Sequence, residues 1–118
     1  MELAAKLQLK TGQDVEAVRT PDSLLTTFSG LTPSVAQVPA ALLMFVIDQA
    51  TLEEHRQRIV DAVNDERLTW VAYPKAGQLG TDLNRDALAA LLNASDIVPV
   101  RQIAVDDVWS ALRFRPTD

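Results

Sequence analysis

The stretch Leu68-Thr69-Trp70-Val71-Ala72-Tyr73-Pro74-Lys75 restricts the fold more than any other part of the chain. It is a run of β-branched, aromatic and apolar residues that stops at a proline. Residues 76–81 follow with two of the chain's four glycines, and Thr81-Asp82-Leu83-Asn84 then offers helix caps. A strand that lacks polar alternation is buried on both faces. Followed by a polar loop and a helix, it reads as a buried parallel strand of an α/β sheet.

A second continuous apolar run, Ala41 to Ile47, lies upstream. Thr51-Leu52-Glu53-Glu54 beyond it has the form of a capping box, in which the threonine hydroxyl accepts from the Glu54 amide. The helix it opens, about 52–64, sets Leu52, Ile59, Val60 and Val63 on one stripe and leaves Arg56, Gln57, Arg58 and Asp61 outside. Strand, helix and strand joined by short links make a βαβ unit.

The remaining segments are shorter. Residues 14–19 alternate as a strand, Thr20-Pro21-Asp22 breaks it, and 23–28 reads as a short helix ended by Gly30. Pro33 and Pro39 confine 34–38 to a short edge strand. Ala87, Leu88, Leu91 and Leu92 give the stripe of a helix over about 84–94. Two alternating runs around Asp106-Asp107 predict a closing β-hairpin. The expected fold is α/β: one domain over residues 1–118, with a small Rossmann-like, mainly parallel sheet, three helices and a C-terminal antiparallel β-hairpin.

Composition excludes several functions. No cysteine is present, so disulfides, thiolate metal sites and cysteine nucleophiles are ruled out, and His55 alone cannot build a multi-histidine metal site. A net charge of -5 opposes binding to nucleic acid or to an anionic membrane, both of which call for a basic face. The first residues lack a signal-peptide pattern, and the longest apolar run falls far short of the ~20 residues needed to span a bilayer. A cytoplasmic protein is expected.

Four motifs, LQLKTGQ (7–13), WVAYPK (70–75), TDLNRD (81–86) and DDVWSALRFRP (106–116), resemble a family of small bacterial proteins catalogued as a domain of unknown function. Parallel strands closed by a hairpin are also similar to the plan of Rossmann-like methyltransferases, in pared-down form. The resemblance implies a fold and carries no reaction with it.

In an open α/β sheet, ligands bind outside the carboxyl ends of the parallel strands. With 41–47, 68–73 and 98–105 running the same way, Asp48, Lys75, Asp106 and Asp107 meet at one edge. The following loop and helix start add Thr81, Asp82, Arg85 and Asp86, and the returning strand adds Trp109 and Ser110. Lys75, Asp82, Arg85, Asp106, Asp107 and Trp109 are the candidate ligand-binding residues. Each also has a structural role open to it: cap, turn, solvated charge or core indole. Arg113 and Arg115 share a strand face with Trp109, while Leu112 and Phe114 point to the core side.

The turn after the first strand, Arg19-Thr20-Pro21-Asp22, has no glycine, so a dinucleotide or S-adenosylmethionine could not approach the backbone there. No catalytic residue, cofactor or metal is assigned. Two readings stand. The first is a non-catalytic binding or interaction module, with a homodimer as its assembly. The second is an enzyme or small-ligand binder, for a nucleotide or phosphate, that uses the carboxyl edge.

Overall fold

A computed structural model of the chain describes residues 41–75 and 77–117, and residues 15–18 as a strand. The elements are β1 (Val15–Val18), β2 (Ala41–Phe45), α1 (Gln49–Asn64), β3 (Leu68–Pro74), α2 (Arg85–Asn93), β4 (Ile97–Ala104) and β5 (Trp109–Pro116). The expected helix at 23–28, the expected strand at 34–38 and the 7–13 motif lie outside the described residues.

The strands form one sheet in the order β1-β2-β3-β5-β4. β1, β2 and β3 are parallel, and β5 runs antiparallel to both its neighbours. The antiparallel pairings hold six and seven residue pairs, against four and five for the parallel ones. The sheet is therefore mixed and not mainly parallel. The described residues hold two helices and not three, and both pack on the same face, where a Rossmann plan covers two faces. The Rossmann-like expectation is overturned.

The reason lies in the last two strands. β5 is apolar in both directions: Trp109 and Ala111 point to one face, Leu112 and Phe114 to the other, and all four are buried. Such a strand gains most from an interior position, at roughly 25 cal/mol for each Å² of apolar surface removed from water. β4 carries Pro99, Arg101 and Gln102, with a register shift between Pro99 and Arg101, and it takes the edge, where a missing donor does no harm. β5 therefore folds back between β3 and β4.

Each face of the sheet has its own core. On one, Leu42, Met44, Val71, Tyr73 and Phe114 pack under Leu52, Ile59 and Val63 of α1 and Leu88 and Leu92 of α2. On the other, Leu43, Phe45, Trp70 and Trp109 form a cluster, and the Phe45 and Trp109 rings meet edge to face at 5.4 Å.

The start of α1 also differs from expectation. Asp48, not Thr51, is the cap: its Oδ1 accepts from the Thr51 amide at 2.9 Å and from the Thr51 hydroxyl at 2.8 Å. Aspartate caps at least as well as threonine, and from three residues upstream it lengthens the helix by most of a turn. At the other end Glu66 adopts φ 62°, and the Glu66 and Arg67 amides return to the Val63 and Ala62 carbonyls, which closes a Schellman motif.

Candidate functional site

The loop after β3 positions the site. Pro74 ends the strand, and the Lys75 amide donates to the Val108 carbonyl at 2.7 Å, so the carboxyl end of β3 is pinned beside the start of β5. Two tight turns follow, with Gln78 N–H to the Lys75 carbonyl at 2.9 Å and Thr81 N–H to the Gln78 carbonyl at 3.0 Å. Gly77 and Gly80 take φ of 82° and 67°, a region that costs a side-chain-bearing residue roughly 1–2 kcal/mol. Buried Leu83 then anchors the chain, and Asn84 caps α2 by accepting from the Ala87 amide at 2.8 Å.

An open cleft of about 440 Å³ lies between these parts. Tyr73 and Lys75 line it from the end of β3, and Asn84, Arg85 and Asp86 from the start of α2. Gln102 of β4 and Ser110 of β5 complete the wall. β4 points the same way as β2 and β3, because it is antiparallel to β5, which is itself antiparallel to β3. The carboxyl ends thus share a rim even though the sheet is mixed.

The predicted site residues divide. Lys75 and Arg85 come together in the cleft. Asp82 does not: its Oδ1 accepts from the Gln49 amide at 2.8 Å and so holds the first residue of α1. Asp106 ties the hairpin turn, accepting from the Val108 and Trp109 amides at 2.8 and 2.7 Å, and Asp107 stands exposed beside it. Trp109 is buried in the cluster on the opposite face of the sheet. The cause is the β period of two, which sends neighbouring Ser110 toward the cleft and Trp109 away from it.

Tyr73 and Gln102 were not singled out from the sequence. The signal available for Tyr73 was a polar tip at the very end of a buried strand. For Gln102 it was a lone amide on the edge strand β4, at the position that pairs with Leu112. The Tyr73 phenol is held above its usual pKa, chiefly by burial; Arg85 and a hydrogen bond from Ser110 pull the other way. Its hydroxyl is therefore a neutral donor and acceptor at pH 7. Gln102 Nε2 stands 3.5 Å from it, at the outer limit of a hydrogen bond.

Arg85 touches Asp86 at 3.3 Å, with 56% and 92% of the two side chains exposed, a contact too wet to commit the guanidinium. Among the described residues, no carboxylate pairs with Lys75, and no three of His, Asp and Glu group to hold a metal ion. No described helix is long and apolar enough to cross a membrane. No family model matches the chain, and the search of curated proteins finds no match either.

Proposed function

We propose that the chain is a small α/β binding domain that holds an anionic small molecule in the cleft at the carboxyl end of β3. One observation carries this reading: Lys75 and Arg85, delivered by different elements, face one cleft whose only acidic lining residue, among the described residues, is Asp86. The cleft thus has a local excess of one positive charge in a chain of net charge -5. A positive concavity in an acidic protein raises the local concentration of anions. The lining offers charge and hydroxyls, which suits recognition. Membership of the small bacterial family that the motifs resemble belongs to the same proposal and adds no reaction to it.

The interaction-module reading draws less support. A homodimer formed by extending the sheet at the β4 edge would meet Pro99, an irregular register and exposed Arg101, features that discourage strand pairing.

Isothermal titration with inorganic phosphate, pyrophosphate, a nucleoside monophosphate and a dicarboxylate tests the proposal. Binding should weaken about tenfold or more in Lys75→Ala and in Arg85→Ala, the loss of one charge-assisted hydrogen bond. Arg115→Ala, remote from the cleft, should leave it unchanged. A panel in which no anion binds would overturn the reading.

A further inference from the structure

We propose that the ligand is a phosphorylated sugar or polyol, with its phosphate between Lys75 and Arg85 and its hydroxyls against Tyr73, Ser110 and Gln102. This rests on the binding reading above and names the chemistry of the rest of the ligand.

The cleft is much larger than a phosphate needs and lies within the ~300–1,000 Å³ range of small-molecule sites. What lies beyond the cations is a patch of neutral polar groups. Tyr73 and Ser110 are cross-strand partners, only 2% and 5% exposed, yet both contribute to the cleft wall. Core positions of this kind are usually apolar, as Val71 and Leu112 are one step along the same strands. Ser110 lies across from Tyr73 on the neighbouring strand, and Gln102 Nε2 barely reaches the Tyr73 hydroxyl at 3.5 Å. Two hydroxyls and a primary amide offer donors and acceptors together. A sugar hydroxyl, itself both donor and acceptor, is the complement of such a surface.

The aromatic residues argue against a nucleobase. Among the described residues, Tyr73 is the only ring in the cleft lining, whereas Phe45, Trp70 and Trp109 pack on the other face of the sheet. A base that needs a stacking platform finds none of those three there. The chemistry favours the polyol part of a phosphate ester over the base of a nucleotide.

The test compares inorganic phosphate, glycerol 3-phosphate, ribose 5-phosphate and adenosine monophosphate on the intact chain. Ribose 5-phosphate should bind at least tenfold more tightly than inorganic phosphate. Tyr73→Phe, Ser110→Ala and Gln102→Ala should each shrink that ratio while leaving inorganic phosphate affinity in place. Gln102 is exposed, so its variant keeps the test open where the two buried substitutions disturb folding. The sole tyrosine adds a spectroscopic readout: bound ribose 5-phosphate should move its ionisation to higher pH.

Equal affinities for phosphate and sugar phosphates would overturn this inference and leave anion binding standing. Tighter binding of adenosine monophosphate than of ribose 5-phosphate would do the same, by showing that the base is read. Failure of every compound, inorganic phosphate included, would remove both readings.

Discussion

Tyr73 is the chain's one tyrosine, so its ionisation can be followed directly in the ultraviolet phenolate band. Burial raises its folded pKa, which means the folded state keeps the phenolic proton after the unfolded state has released it. The stability linked to this group is therefore full below the unfolded value, near 10, and is lost as pH rises through the higher folded value. Native protein should titrate above pH ~10 and the urea-unfolded chain near it. A native midpoint at or below that of the unfolded chain would contradict the burial of Tyr73. Backbone conformation makes a second residue-scale prediction. Leu79 and Glu66 sit at φ 53° and 62°, where a side chain is strained. Leu79→Gly and Glu66→Gly should each stabilise by up to about 1 kcal/mol in urea melts. Gly77→Ala, by contrast, should cost about 1 kcal/mol through its φ of 82° alone, since an added Cβ there meets no atom within 4 Å.

Arg56 joins the two helices. Its Nη1 donates to the Leu91 carbonyl at 2.6 Å and to the Ser95 hydroxyl at 2.8 Å, while Nε and Nη2 bind Glu53 one turn back. The hydrogen bond from Arg56 also lowers the Glu53 pKa, so this pairing is present at neutral pH and fades as pH falls through that lowered value. The two partners should differ when replaced. Arg56→Ala removes the interhelix bonds and should cost ~1–3 kcal/mol, whereas Glu53→Gln loses only a solvent-exposed pair and should change stability far less. Equal losses in chemical denaturation would show that the arginine acts only within α1. In the hairpin, Asp106→Ala removes the acceptor for two amides and should destabilise by about 1–2 kcal/mol.

The two faces of the sheet separate packing from binding. Trp109→Ala opens a cavity opposite the cleft and should cost ~3–5 kcal/mol, yet the anion affinity of the folded fraction should be preserved. Loss of binding in excess of loss of folding would show the cleft to be coupled through the sheet. Much of this arrangement was legible in the chain. The unbroken apolar character of residues 68–73, the Pro-Gly punctuation after them and the Asp-Asp turn determined strands β3, β4 and β5, helix α2 and the hairpin to within a residue or two, because steric preference and hydrophobic period act locally. Lys75 and Arg85 were legible for the same reason, as the residues that flank that loop. Tertiary structure alone decided that β5 lies between β3 and β4, since the choice turns on which strand can bury two faces at once. That insertion makes Tyr73 and Ser110 neighbours and sends Trp109 to the far side. Whether a carboxylate serves as a cap or a ligand was likewise settled only when folding brought an orphan amide such as that of Gln49 within reach of Asp82.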